Sequence, residues 1–453
     1  MSAAKELRKA GVSRVLEPTE VGFAEAVAGF DLGVACQPGA VVDAQSSAEV
    51  ASTVAVTAER GEPLAVIGAG HGRLTPQIGG AAITLRSLNH VEVDVPGRLA
   101  RIGAGCTWNP VLAATTPHGL APACGSAPGV GVVGYLLGGG IGPLASAVGF
   151  SSETVRSFEV VTPADGTVTV SQHSHPDLFW ALRGGKGGFG VVTAVTIELL
   201  QLTTVYGGGL YFDGADVAAV LEAYAEWAPA LPEAATASIA LLRLPAADAL
   251  PESIRGKHVA HVRFATLDHP DAGGTQLARI RSAAKPLLDT VDVLPYDRLG
   301  AIHGDPTTPM SVANGTASLA ALDQAAVAAV LAAADLGNDR PLSSVEIRTL
   351  GPATWREPEP ADAVGGRGTP HLLNVYAAPV PSLSDEARLA AARAVIDAMR
   401  LWQAPVSLVN FVGRANAADA IAGSWTAEQN ARLDEIRGRH DPGGQFPFAG
   451  HGG

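Results

Sequence analysis

A histidine lies inside a glycine-rich turn in the stretch AVIGAGHGRL, residues 65–74. The short apolar run before the turn is typical of a buried β-strand. Gly68, Gly70 and Gly72 leave a backbone without side chains, and the N–H groups of such a backbone can bind phosphate oxygens. The imidazole of His71 would then either take part in chemistry beside the bound group or simply cap the turn.

The turn does not match the dinucleotide-binding fingerprint of Rossmann domains. That fingerprint needs G-x-G-x-x-G and a helix directly after it. Gly68 and Gly70 fit its first two positions, but Arg73 stands where the third glycine belongs. The following residues, RLTPQIGG, are a poor start for a helix. The sequence therefore argues against an NAD-binding turn.

Two further glycine clusters follow along the chain. They read GSAPGVGVVGYLLGGGIG over residues 125–142 and RGGKGGFGVVT over residues 183–193. Such a density marks places where the backbone approaches something closely or takes a positive φ. The clusters are predicted to bind a pyrophosphate through backbone N–H groups. Tight turns in a glycine-rich protein are the alternative interpretation.

The elements that must position these clusters change in character along the chain. Residues 1 to about 200 alternate short β-like runs, such as FEVVT and TVTVS, with glycine turns. From about 204, strands such as TASIALLRL alternate with amphipathic helices such as DVAAVLEAYAEWA, which favours an α+β domain. The tail from about 406 is glycine-rich again. A length of 453 residues predicts two or three folding units.

Composition argues against several classes of function. The formal net charge of −13 argues against a nucleic-acid partner. Charge, Gly or Pro breaks each apolar run before about 18 residues, so we expect no membrane span. Three cysteines without CxxC spacing and a charged first segment favour a reduced, cytoplasmic setting. The sequence has no H-x-x-x-H motif and no Cys/His cluster, so we expect no metal site. His258 and His261 alternate across one strand and are predicted as surface or packing residues.

The ordered motifs resemble the FAD-linked oxidases of the vanillyl-alcohol-oxidase/PCMH fold, and most of all the berberine-bridge-enzyme-like branch. The matching segments are GAGHG, GGAAITLRSLN, RIGAGCTW, APGVGVVGYLLGGGIGPLASAVGFSSETV, PDLFWALRGGKGGFGVVT, SSVEIRTLG, HLLNVY, LVNF and RLDEIRGRHDPGGQF. The resemblance implies an α+β fold with a two-part PCMH-type FAD-binding domain, residues 1–203 and 406–453. It also implies an inserted α+β substrate-binding domain, residues 204–405, with an antiparallel sheet covered by helices.

The resemblance implies FAD as the cofactor, joined through its C8 methyl group to His71. The other implied cofactor-binding residues lie in the glycine motifs and the adjoining strands. They are Ile67, Gly68, Ala69, Gly70, Gly72, Leu85, Gly125, Ser126, Gly129, Val130, Gly131, Gly134, Gly139, Gly140, Gly142, Glu153, Val155, Gly187, Gly190, Val192 and Asn410.

The sequence departs from the family pattern at several positions. Ala127 stands where many relatives have a cysteine that forms a second flavin bond, so a single histidyl bond is expected. Cys124 could form the second bond only after a register shift of the chain. Glu153 replaces the usual aspartate, and Gly188 replaces an asparagine. Leu408 stands where relatives have a tyrosine that accepts a proton. Another group must take that proton, or the substrate needs no strong base.

The candidate catalytic residues are Tyr376, His371, Glu346 and Asn410. Flavin oxidation of a C–H bond needs removal of an alcohol, amine or phenol proton as well as a hydride acceptor. Strand alternation places His371 and Tyr376 on opposite faces of one strand. Glu346 shares a face with Arg348, and the alternative interpretation of that pair is an ion pair that supports the sheet.

The resemblance implies an FAD-dependent oxidase that passes a hydride from a small secondary metabolite to the flavin and then to molecular oxygen. The metabolite would be an alcohol, an amine or a cyclising intermediate. Val130 favours oxygen reactivity, because valine accompanies it at that position in relatives. A noncovalent FAD dehydrogenase of the same fold and a flavoprotein with a non-redox reaction remain alternatives. A homodimer is left open.

Overall fold

A computed structural model describes residues 2–74, 76–334, 341–380 and 382–448. Its first part carries two sheets. Within the described residues, the first sheet has the strand order β1–β3–β6–β4, with β1 antiparallel and the other strands parallel. Its strands are β1 (Val15–Leu16), β3 (Ala40–Asp43), β4 (Leu64–Ile67) and β6 (Ala81–Thr84). The strand β4 leads directly into the glycine turn of His71.

The second sheet is antiparallel and has the order β11–β10–β12–β8–β7 among the described residues. Its strands are β7 (Val91–Asp94), β8 (Leu99–Gly103), β10 (Val155–Thr162), β11 (Gly166–Val170) and β12 (Val191–Glu198). Two short pairs join β2 (Cys36–Gln37) to β5 (Gln77–Ile78) and β9 (Leu120–Ala121) to β13 (Leu200–Gln201).

Short helices connect these strands. They are α1 (Ala3–Lys9), α2 (Phe23–Val27), α3 (Ser47–Glu59), α4 (Trp108–Thr115), α5 (Val132–Leu136), α6 (Ala145–Val148) and α7 (Pro176–Leu182). α3 begins where the Ser46 hydroxyl accepts a hydrogen bond from the Glu49 N–H, which supplies one N-terminal N–H group with a partner. α5 begins directly after Gly131, inside the glycine cluster of residues 125–142.

A large antiparallel sheet follows, in the order β17–β14–β16–β15–β20–β21–β19, with β18 paired to β14, as far as the described residues show. Its strands are β14 (Thr204–Asp213), β15 (Ala235–Arg243), β16 (His258–Thr266), β17 (Leu288–Asp289), β18 (Asp292–Pro295), β19 (Ala313–Leu319), β20 (Ser344–Thr349) and β21 (His371–Ala377). Its helices are α8 (Val217–Trp227), α9 (Pro270–Ala283), α10 (Gln324–Ala334) and α11 (Asp385–Ala398).

Strand alternation gives the large sheet one apolar face. Ile239, Ile347 and Leu373 lie in register on neighbouring strands and pack with α8–α11 in one buried cluster. The opposite face carries polar and charged side chains toward the glycine loops. The predicted α+β fold, with its antiparallel sheet covered by helices, is therefore confirmed.

The chain then returns to its first part through α12 (Ala417–Ala422) and α13 (Ala427–His440). Thr426 and Gln429 form a capping box at the start of α13. Leu433 of α13 belongs to the buried cluster of the first two sheets, and the indole N–H of Trp425 donates to the carbonyls of Gly184 and Ala363. None of the described helices is long and apolar enough to cross a membrane. The predicted boundaries after residues 203 and 405 stay predictions, and residues 1, 75, 335–340, 381 and 449–453 of the three predicted ranges lie outside the described part.

Candidate active site

A cavity of about 610 Å³ lies between the glycine loops and the segment 297–309. His71, Ser126 and Ala127 line it from the first part of the chain, and Asp305 lines it from the segment that follows the large sheet's first strands. The Ser126 hydroxyl donates a hydrogen bond of 2.6 Å to the Asp305 carboxylate, which joins the two walls. The size is within the range of small-molecule and cofactor sites.

His71 is held in place at the end of β4 by its neighbours. Its ring stacks on Phe30 with centroids 4.0 Å apart. Gly70 has φ +76°, and a Cβ there would lie 2.5 Å from the Gly29 Cα, so this position requires glycine. Partial burial lowers the pKa of His71 from its ordinary value. The imidazole is therefore neutral at neutral pH and keeps a free lone pair for chemistry.

The glycines of the predicted cofactor site fall into two groups. At Gly68, Gly72, Gly129 and Gly134 an added Cβ would meet nothing within 4 Å, and all four are exposed. These four positions, called here the glycine cradle, are open on the side where a Cβ would project, and Gly129 among them lines the cavity. A cradle of this kind fits a ligand with phosphate groups, because its N–H groups can be approached closely.

The second group is fixed by close contacts within the protein. A Cβ at Gly140 would lie 2.4 Å from the Tyr135 ring, and one at Gly142 would lie 2.1 Å from the Cys124 carbonyl oxygen. Comparable contacts under 3.2 Å hold Gly70, Gly125, Gly139 and Gly190, whereas Gly131 and Gly187 make ordinary contacts of 3.4 Å. For this group the interpretation as tight turns has direct support.

The remaining predicted cofactor residues have varied surroundings. Ile67, Leu85, Val155 and Val192 are buried in the core, Ala69 and Val130 are half-buried, and Ser126 holds Asp305. Glu153 accepts hydrogen bonds from the Phe150 N–H and from Arg367, and burial raises its pKa. Arg367 also pairs with the buried Asp362 at 2.7 Å, so Glu153 belongs to an ion-pair group.

Asn410 lies against the glycine cluster. Its amide N–H donates to the Tyr135 carbonyl at 2.6 Å, and its oxygen accepts from the Lys186 ammonium at 2.5 Å. The loss of hydration lowers the pKa of Lys186 to about 8. Leu408, two residues before Asn410, is buried and offers no proton acceptor. Both ends of the Asn410 amide are thus occupied by protein partners.

A charged cluster occupies the polar face of the large sheet. Glu346 is 3% exposed, accepts hydrogen bonds from Arg263 and from the Asn374 amide at 3.3 Å, and forms an ion pair with Arg348 at 3.1 Å. The two guanidinium groups hold the pKa of Glu346 below its ordinary value despite burial. The Arg348 guanidinium also lies over the Phe411 ring, 5.1 Å from its centroid. The predicted Glu346–Arg348 ion pair is present.

Tyr376 and His371 lie on opposite faces of β21, as alternation predicts. Tyr376 is half-buried on the face of Glu346, and burial together with the nearby Glu346 carboxylate raises the pKa of its hydroxyl. His371 contacts the Thr349 hydroxyl at 3.2 Å on the face covered by helices, and burial lowers its pKa to about 4. The structure therefore brings Tyr376 and Glu346 to one face of the large sheet and places His371 on the other.

One segment of the chain matches a known protein family. Residues 38–171 match the family described as an FAD binding domain. The chain contains an FAD-binding domain.

Two curated relatives show the range of its matches. This chain is 36% identical over 177 residues to FAD-dependent monooxygenase FUP4 of Fusarium proliferatum, a match that covers 38% of this chain and 34% of the relative. It is 29% identical over 310 residues to (R)-6-hydroxynicotine oxidase of Paenarthrobacter nicotinovorans, covering 64% of this chain and 63% of the relative. The matched segments thus span between a third and two thirds of these relatives.

Solved structures share the fold over almost the whole chain. BBE-like 1 of Physcomitrella patens superposes with a TM-score of 0.86 at 17% identity, covering 99% of this chain and 98% of that one. A glucooligosaccharide oxidase of Acremonium strictum, described with a 6-S-cysteinyl, 8α-N1-histidyl FAD, gives 0.83 at 19% identity with coverage of 99% and 98%. The likeness confirms the predicted fold, that of PCMH-type FAD-linked oxidases, for this chain.

Several residues that face the candidate site were not predicted from the sequence. Arg263 and His303 lie beside Glu346, and Asp305 lines the 610 Å³ cavity. In the strand KHVAHVRFATL a histidine and an arginine stand two residues apart in an apolar run, a signal for a buried polar face. His303 and Asp305 lie in the irregular segment HGDP, where no periodicity identifies them.

Proposed function

We propose that this protein is an FAD-dependent oxidase whose flavin is joined to the chain by one covalent bond, through His71. The observation that carries the proposal is the position of a neutral imidazole at the wall of the 610 Å³ cavity, next to the glycine cradle. The FAD-binding domain of residues 38–171 includes both features. Residues 1–203 and 406–453 would form the FAD-binding part and residues 204–405 the substrate-binding part.

Two observations favour a single bond. Ala127 lines the cavity beside Pro128 and has no group that can bond to a flavin. Cys124 is 3% exposed and its thiol lies 4.0 Å from the Tyr296 hydroxyl, while burial raises its pKa to about 12. A thiol with this pKa is protonated and unreactive at neutral pH. The 6-S-cysteinyl bond described for the Acremonium strictum enzyme therefore has no counterpart in this proposal.

Bound FAD would supply the acceptor for a substrate hydride, and molecular oxygen would then take the electrons. The protein's own groups bind and orient the substrate. Tyr376 is the group proposed for that role, because it is half-buried on the charged face of the sheet and its protonated hydroxyl can donate a hydrogen bond. His371 and Asn410, which the sequence also suggested, have protein partners elsewhere and are not assigned this role.

Glu346 is not assigned the role of a base. Both of its oxygens are occupied by Arg263, Arg348 and Asn374, and its lowered pKa makes it a weak proton acceptor. Leu408 replaces the tyrosine of relatives. The proposed substrate is therefore a small secondary metabolite, an alcohol, amine or cyclising intermediate, whose oxidation needs no strong protein base. Val130 beside Gly129 favours oxygen as the electron acceptor, as in the resembling oxidases. A cytoplasmic setting fits the free cysteines Cys36, Cys106 and Cys124.

The test is the intact mass and colour of the purified protein and of two variants. We expect wild type and Cys124→Ala to retain a covalent FAD adduct after acid precipitation, and His71→Ala to lose it completely. Wild-type protein that releases all its yellow colour would contradict the bond and favour a noncovalent dehydrogenase.

A second measurement tests oxygen as the acceptor. Holoprotein reduced with dithionite is mixed with air-saturated buffer, and the return of flavin absorbance is followed by stopped flow. Rapid reoxidation supports an oxidase. Slow reoxidation in air together with fast reoxidation by a quinone would favour a dehydrogenase, and no bleaching by any member of an alcohol and amine panel would favour a non-redox reaction.

A further inference from the structure

A second, much smaller cavity of about 20 Å³ lies between the large sheet and residues 141–143 of the glycine cluster. Ser238, Arg263, His303 and Arg348 line it, and this set is called here the arginine niche. A cavity of this volume holds one group about the size of a water molecule. Residues 141–143 close the niche on the side opposite the sheet.

Strand register brings three of these side chains into one row. Arg263 of β16 pairs with Ser238 of β15, and Ser238 pairs with Arg348 of β20. Residues in register on neighbouring strands project to the same face, so a serine hydroxyl lies between two guanidinium groups. His303 enters the niche from the segment after the short helix Tyr296–Ile302.

The niche carries more positive than negative charge. Arg263 and Arg348 share the single carboxylate of Glu346. The imidazole of His303 is neutral, because burial and the two arginines hold its pKa well below the ordinary value. Asp305 also attracts Arg348, but it lines the larger cavity and is bound by Ser126. A buried charge without a counter-ion is costly.

Three buried polar atoms of the niche lack hydrogen-bond partners among the described residues. They are the Ser238 hydroxyl oxygen and the His303 Nδ1, whose residues are 4% and 6% exposed, and the Arg348 Nε, which meets Glu346 only as an ion pair. Buried polar groups almost always have a partner, so unpaired atoms around a small cavity indicate an occupant. The guanidinium groups and the serine hydroxyl can all donate hydrogen bonds to it, and His303 can do so in one tautomer.

We propose that the arginine niche binds a small monovalent anion, either a free halide ion or the carboxylate oxygen of a small acid. An anion would accept hydrogen bonds from Ser238 and the arginines and would neutralise the excess positive charge. The inference does not depend on the proposed oxidase function, because the niche consists of protein side chains alone.

The test uses purified holoprotein in potassium gluconate, whose bulky anion cannot enter a cavity of this size. Potassium bromide or potassium formate is titrated in at constant ionic strength, and the unfolding temperature is recorded. We expect a saturable rise in wild type. Ser238→Ala should raise the half-saturating anion concentration about tenfold, because one charge-assisted hydrogen bond to the anion is lost. Arg348→Gln should abolish the saturable rise.

Ser318→Ala is the matched control, because its hydroxyl is also buried in the large sheet without a described partner but does not line the niche. It should titrate like wild type. A response to bromide alone assigns the niche to halides, and a response to formate alone assigns it to carboxylates.

No saturable response to either salt in wild type, or equal responses in wild type and Arg348→Gln, would overturn the proposal. Crystals of wild type soaked in bromide give a readout independent of variant folding. An anomalous peak between Ser238 and Arg348 is expected, and its absence together with a bromide response would place the ion elsewhere and contradict the assignment.

Discussion

The two faces of the large sheet use the same strands but are stabilised in different ways. On one face Ile239, Ile347 and Leu373 pack against helices, and burial of apolar surface supplies the stabilisation. On the other face Glu346 and Arg263 are buried as charges that depend on each other. Loss of a methyl group on the first face leaves a small cavity, whereas loss of one charge on the second leaves an unpaired ion.

The comparison also shows that residue type alone does not assign a role. Two tyrosines illustrate this. The Tyr224 hydroxyl lies in the apolar face and contacts the Thr349 hydroxyl at 2.8 Å and the Ala237 carbonyl at 3.1 Å, whereas Tyr376 is half-buried on the charged face. The same chemical group is a packing element on one face and a candidate substrate contact on the other.

Neutralising the charged face should give the largest effect on stability. Glu346→Gln leaves two buried guanidinium groups without their shared carboxylate. We expect the free energy of unfolding to fall by about 3–5 kcal/mol, measured by urea denaturation at neutral pH. The exposed Glu222→Gln on α8 is the control and should change it by less than about 0.5 kcal/mol. Equal losses in the two variants would mean that the charges of this face do not depend on each other.

The apolar face should give a smaller, pH-dependent effect through His371. Its pKa is about 4 in the folded protein, against an ordinary value of 6.5, so the unfolded chain binds the proton at a higher pH. The neutral His371 therefore contributes about 3 kcal/mol to the free energy of unfolding. This contribution is complete above about pH 6.5 and is lost as the pH falls toward 4.

Urea denaturation of wild type and His371→Gln across this pH window measures that loss. The variant should lack this part of the acid destabilisation, and His118→Gln, at an exposed position, should keep it. A variant as acid-sensitive as wild type would show that His371 has the same pKa in the folded and the unfolded protein, which contradicts the lowered value.

Much of the fold could be predicted from the sequence because periodicity reports burial. The alternation in HLLNVY and SSVEIRTLG predicted which side chains share a face, and the structure agrees for His371, Tyr376 and Glu346. The family resemblance of the glycine motifs implied the FAD-binding domain, which the match of residues 38–171 bears out. Domain boundaries follow from changes in composition, which fix no exact residue, and they stay predictions.

The candidate site was predicted less completely, because its shape depends on contacts between distant segments. Nothing in the sequence separates Gly72, which faces open space, from Gly140, which packs on Tyr135. Asn410 is hydrogen-bonded to Tyr135, 275 residues away in sequence, and to Lys186, 224 residues away. His303 and Asp305 reach the site from an irregular segment, where neither alternation nor spacing identifies them.

The two tyrosines give the smallest expected effects and the sharpest contrast between the faces. Tyr224→Phe removes a buried hydroxyl with several partners and should cost about 1–2 kcal/mol of unfolding free energy, while kcat/KM stays within about twofold. Tyr376→Phe should cost less than about 0.5 kcal/mol but lower kcat/KM about tenfold, on the first substrate found to bleach the flavin, because the substrate loses a hydrogen-bond donor. Both variants are measured by urea denaturation and by flavin reduction in stopped flow. If Tyr376→Phe lost stability and kept its rate, the charged face would be a structural feature like the apolar one, and the substrate would bind away from it.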